Sequence, residues 1–183
     1  MPQAFWAKFS TALRDRWSAE GADAYWFSVH GWPKRTEFMT DVLKKLARDF
    51  GCHCDCEYRK VDVSYFNHIA EDWSEWSCEA AIELENAGSW KNEVSKLMEI
   101  NAGLKVLIAY VDDQKKLDEF WRELPKIHKS RKYVTKPCNW LFVFGFFGNS
   151  NWDFKAYTFD GESTTPITGY DPIRPIGAPS SSL

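Results

Sequence analysis

The 183-residue chain has no run of about 18 apolar residues, the length a helix needs to cross a bilayer, so no transmembrane helix is expected. Its longest apolar stretch, Trp140 to Phe147, has the length of a strand. The opening MPQAFWAKFSTALRDRW lacks a basic segment followed by an apolar run, so no secretory leader is expected. Excess positive charge is also missing, because 23 Lys and Arg against 26 Asp and Glu leave a net charge of −3. Global attraction to nucleic acid is therefore absent, and such a partner would need a local basic surface or a cation at the site. Neither an internal repeat nor a second domain is visible, so residues 1–183 read as one domain. Cysteine is sparse and odd in number: Cys52, Cys54, Cys56, Cys78 and Cys138. Without a secretion signal these point to reduced thiols in a cytoplasmic protein, with no membrane partner.

What the chain has in quantity is aromatic residues, ten of them Trp, which bury large areas but need their polar edges placed. An N-terminal helix over 2–19 carries Phe5, Trp6, Phe9, Leu13 and Trp17 as one stripe. Tyr25 to Val29 reads as a short extended run, broken by Gly31-Trp32-Pro33. A second helix, Lys34 to Phe50, repeats Phe38, Val42, Leu46 and Phe50 on one face, and Gly51 stops it. Residues 52–66 predict two strands or one long bent strand. Cys52, Cys54 and Cys56 share one face there, which suits packing, since alternation along one strand is poor for tetrahedral chelation. Val61, Val63 and Tyr65 then alternate with Lys60, Asp62 and Ser64. After a connection over 67–77, the strand Cys78 to Asn86 turns Ala80, Ile82 and Leu84 one way and Glu79, Ala81, Glu83 and Glu85 the other.

Ser89 is placed to cap a helix from Trp90 to about Asn101, with Lys96 well off its apolar stripe. Leu104 to Val111 is nearly all apolar, as a strand covered on both faces should be. A helix over Gln114 to about Leu124 follows, with Pro125 closing it or kinking the chain. Lys126 to Lys136 is the basic run, either a solvated connection or an edge that touches phosphates. Residues 139–147 and 152–160 predict a hairpin, and the tail from Gly161 reads as partly irregular, with 170–176 laid over the core.

Strand parity carries the chemistry. Glu83 and Glu85 line one face, and Asp62 occupies a non-apolar position in a strand expected to neighbour theirs. If those faces coincide, three carboxylates converge, and a hard divalent cation is the usual reason to tolerate such repulsion. The competing reading is an α/β domain with acids on its solvated faces.

Asp62, then Glu83-Leu84-Glu85, set between one helix and a following helix–strand unit, resembles the PD-(D/E)XK superfamily of restriction-endonuclease-like nucleases. The resemblance implies an α/β fold: a restriction-endonuclease-like core over about 34–160, with a mixed central sheet flanked by helices. In that family the core runs helix, three antiparallel strands, helix, then a parallel strand. The implied activity is Mg²⁺-dependent (or Mn²⁺-dependent) hydrolysis of nucleic acid, DNA above all. Asp62 matches the first metal-ligating acid and Glu83 the second, while Glu85 stands where lysine is usual and would ligate metal or act as a base. Lys96 is a candidate migrated lysine, Lys60 a second one, and Glu37 resembles an extra metal acid that some members supply. Val61 stands where the family's proline would be. The alternative is a catalytically inactive nuclease-like module that binds a protein or nucleic acid, as a regulatory or immunity protein would. A homodimer or a protein partner is compatible with either.

Overall fold

In a computed structural model, the described residues are 1–20, 32–67, 76–86, 89–111, 113–130, 139–148 and 151–168. They form α1 (Pro2–Glu20), α2 (Trp32–Asp49), β1 (His53–Tyr58), β2 (Val61–Asn67), β3 (Ser77–Asn86) and α3 (Trp90–Glu99). These are followed by β4 (Leu104–Val111), α4 (Gln114–Ser130), β5 (Asn139–Gly148), β6 (Asn151–Phe159) and β7 (Thr164–Pro166). The expected run at 25–29, the basic residues 131–136, Cys138 and the tail segment 170–176 lie outside the described residues.

All seven strands join one sheet in chain order, β1 to β7. β1, β2 and β3 pair antiparallel, β3–β4 and β4–β5 pair parallel, and β5, β6 and β7 pair antiparallel. The two parallel steps need crossovers, and α3 and α4 supply them. The fold is therefore α/β with a mixed sheet, as expected. β4, between two parallel neighbours, is buried at all eight positions because helices cover both its faces.

Two cores result. On one face α1 and α2 pack Phe9, Leu13, Leu43 and Leu46 against Val63, Ile82, Val106 and Val143. The predicted α1 stripe is buried in full, from Phe5 to Trp17. Cys52, Cys54 and Cys56 pack against this core, and burial first of all pushes the Cys54 thiol up to about 11, which keeps it an inert apolar group. On the other face α3 and α4 pack Val94, Leu97, Phe120 and Leu124 against Leu107, Phe142 and Phe144.

Several local expectations are corrected. α2 starts at Trp32, two residues before the expected start, because Pro33 fits a first helical turn, where its missing N–H costs nothing. Phe50, expected on the α2 core face, is exposed beyond the end of the helix, stacked on Phe5 at 6.1 Å. Ser89 holds the N-cap position of α3, but its side chain makes no capping hydrogen bond, and α3 ends at Glu99. α4 continues through Pro125 to Ser130, so the first part of the basic run is helical. Past the proline, Ile127 packs on the second core and the His128 ring meets Phe159 edge-on at 5.4 Å, which offsets the lost backbone bond. The tail also contributes β7, which the sequence reading had left irregular.

Gly145 marks a tight approach. A Cβ there would lie 2.8 Å from a Phe154 ring carbon and 3.0 Å from one of Tyr110, both rings being buried. Gly145→Ala is expected to destabilise the fold by about 1–3 kcal/mol, as overpacking does. Urea denaturation measures this, and an unchanged midpoint would show that the two rings can give way.

Candidate functional site

The site grows out of the β1–β2 hairpin. Tyr58 pairs with Val61, which leaves Arg59 and Lys60 as a two-residue loop with φ of 50° and 67°. Two left-handed residues make the turn whose twist matches the flanking strands. Lys60 therefore sits in this turn, exposed, and does not share a strand face with Asp62 as the alternation had suggested. Its contribution is a backbone carbonyl, which accepts a hydrogen bond from Lys96 Nζ at 2.8 Å.

Asp62 is the second residue of β2 and is half-buried. Val63 pairs with Ile82 in the antiparallel β2–β3 ladder, which puts Asp62 across from Glu83. Asp62 Oδ2 accepts the backbone N–H of Leu84 at 2.8 Å, so one carboxylate oxygen takes over where the strand ladder stops. Ala80, Ile82 and Leu84 join the α1/α2 core while Ala81 joins the α3/α4 core. By that alternation Asp62 and Glu83 share the α3/α4 face, the coincidence that convergence of these two acids requires.

Glu83 is buried, with 1% of its side chain exposed. The Lys96 ammonium lies 2.9 Å from Glu83 Oε1 and 2.5 Å from Glu93 Oε2, one turn earlier on α3. The aligned hydrogen bond of Lys96 goes to the Lys60 carbonyl; the two glutamate oxygens lie close to the ammonium without a well-angled hydrogen bond. Burial pushes the Glu83 carboxyl up to about 9; Lys96 pulls against this, and the charge of Asp62 adds to it. Burial works against the Lys96 charge, but Glu93 and Glu83 outweigh it and raise its pKa. Lys96 is accordingly a fixed cation.

The structure thus brings together Asp62, Glu83 and Lys96, and adds Glu93, which was not singled out from the sequence. Lys96 was expected to point away from the core; its flank of α3 instead overhangs β3. The available signal was the spacing of Glu93 and Lys96, three apart on one helix. Glu85 is half-buried, on the same side of β3 as Glu83 and two residues further along. Among the described residues no three His, Cys, Asp or Glu side chains are close enough together to hold a metal, so the three carboxylates do not form a common cage. Glu37 is exposed on α2, which covers the opposite face of the sheet, and is not brought to the pair. The side chain of Asn86 lies outside the described residues.

No helix among the described residues is long and apolar enough to cross a membrane. Compared with known proteins, the chain matches no family model, and no curated protein matches it at a significant level.

Proposed function

We propose that the chain is a divalent-metal-dependent phosphodiesterase acting on nucleic acid, with DNA the favoured class. One observation carries the reading: a fully buried glutamate, Glu83, faces Asp62 across two strands and meets a lysine delivered by the next helix at 2.9 Å. The element order supports it. Helix α2, the antiparallel β1–β3, helix α3 and the parallel β4 follow the order that the PD-(D/E)XK resemblance implies. Lys96 then takes the place of the motif lysine, and Glu85 is relieved of it.

The donors suit Mg²⁺ better than a closed structural metal. Mg²⁺ is commonly held by one or two carboxylates, with water and substrate phosphate completing its shell. Asp62 and Glu83 would hold it, with Glu85 within the same strand edge as an auxiliary acid. Bound there, the cation would polarise the phosphodiester and acidify a water. Lys96 keeps its proton at neutral pH, so it is no general base; it donates hydrogen bonds and supplies positive charge where charge develops on phosphate oxygens. Glu93 and the Lys60 carbonyl restrain its rotamer, which preorganises that charge.

Lys96→Met tests the assignment. Cleavage of plasmid DNA in Mg²⁺ should fall by about 10²-fold or more, the usual cost of losing one such donor. The thermal stabilisation by Mg²⁺ should persist, because the carboxylates remain. Cleavage at the wild-type rate would remove Lys96 from the chemistry.

A further inference from the structure

A groove of about 500 Å³ runs from the start of β3 to the β1–β2 turn and includes Tyr58, Arg59, Phe66, Trp76, Glu79 and Asn101 in its lining. Half-buried Tyr58 and Trp76 flank the buried Phe66. Tyr58 meets Phe66 edge-on at 4.9 Å, and Phe66 lies 6.0 Å from Trp76. The Arg59 guanidinium sits 5.6 Å from the Tyr58 ring centre.

The groove is physically joined to the candidate site at two points. The hairpin turn that places Tyr58 and Arg59 in the groove also gives Lys96 its carbonyl partner, Lys60. Lys96 lies in the last turn of α3, and Ile100 and Asn101, just past the end of that helix, line the groove.

We propose that this groove holds unpaired nucleotides of the substrate, so that the protein acts on single-stranded or locally opened nucleic acid. The inference rests on the phosphodiesterase reading and narrows its substrate. Aromatic side chains offer stacking surfaces to any base, and arginine adds a cation for the backbone and a plane for stacking. Glu79, held by Ser77 Oγ at 2.6 Å, repels phosphate from the inner end. Its carboxylate and the Asn101 amide are instead matched to the edges of bases. Phosphates therefore run along the Arg59 side, toward Lys96. Paired bases inside a duplex cannot present their faces to such rings.

The test is fluorescence anisotropy with a labelled oligodeoxynucleotide of about a dozen nucleotides, using the intact wild-type chain in EDTA so that nothing is cut. The single strand should bind roughly tenfold tighter than its duplex. Arg59→Ala and Tyr58→Ala should each weaken single-strand binding by about tenfold, the scale of one lost stacking contact. Arg59 is exposed, so Arg59→Ala decides the matter should Tyr58→Ala fail to fold. Equal or tighter duplex binding, or unchanged affinity in Arg59→Ala, would overturn the proposal. Because binding is read without metal, a wild-type chain that binds in this way but never cleaves would contradict the phosphodiesterase reading alone. Conversely, Mg²⁺-dependent cleavage with Arg59→Ala binding like wild type would remove the groove alone.

Discussion

Glu83→Gln is expected to make the protein more stable and inactive at once. The folded state holds the Glu83 carboxyl up to about 9 against an ordinary value of 4.5, chiefly because it is buried. Between those values the folded protein retains a proton that the unfolded chain gives up. Stability from this group is therefore greatest at low pH, falls as pH rises through that window, and levels off above it. Glutamine keeps an acceptor for Lys96 and has no charge to desolvate. At pH 8 without divalent metal, Glu83→Gln should gain about 1–3 kcal/mol, or roughly 3–10 °C in melting temperature for a chain of this size. Its stability should also vary less between pH 5 and 9 than that of the wild type. On the proposed function, Mg²⁺-dependent cleavage should drop by about 10³-fold, since the carboxylate assigned to the metal is replaced. A melting scan across pH, in EDTA, checks the first part. A less stable Glu83→Gln at pH 8 would show that the Lys96–Glu83 ion pair stabilises the fold, and that the buried carboxylate is not held at a cost for function.

The second large effect lies in the core that holds α3 over the site. Phe120 on α4 is 2% exposed and central to an aromatic cluster. Its ring lies 4.3 Å from Trp90 at the start of α3, and 5.1 Å and 5.0 Å from Phe142 and Phe144 on β5. Phe120→Ala is expected to cost about 3–5 kcal/mol, because so rigid a ring of neighbours cannot collapse into the gap. The urea midpoint should fall with little change in slope. The loss also loosens the anchor of α3, so on the proposed function the protein that stays folded should cleave more slowly as Lys96 is less well held. A loss below about 1 kcal/mol would mean that the second core repacks readily, and that α3 is positioned by other contacts.

The strands were legible because period-2 patterns survive in any context where one face is buried. Ala80, Ile82 and Leu84 against Glu83 and Glu85 could be read directly, and so could the two-sided burial of β4. That Asp62 and Glu83 could share a face was readable from parity, but their direct opposition is set by the β2–β3 register. Lys96 was not legible. Its angle from the α3 stripe placed it toward solvent, but that angle says nothing of where the helix crosses the sheet. The helix crosses so that this flank overhangs Glu83, and two glutamates fix the ammonium there. The Lys60 role was hidden for another reason: alternation carried the strand back into the turn, and the left-handed turn leaves this residue's carbonyl as a hydrogen-bond acceptor. Continuation of α4 past Pro125 was likewise a matter of tertiary packing, by Ile127 and His128, outweighing a local breaker.

Joint binding of a catalytic divalent cation by Asp62 and Glu83 is the proposal on which the function rests. Its most direct measurement is cleavage of labelled single-stranded and plasmid DNA by wild type and Asp62→Asn across a Mg²⁺ and Mn²⁺ titration, with melting temperature recorded in the same series. Metal-dependent cleavage and metal-dependent stabilisation are expected in the wild type, with loss of both in a folded Asp62→Asn. Wild-type cleavage and stabilisation in Asp62→Asn, or a wild type that neither cleaves nor gains stability at any metal concentration, would contradict the proposal.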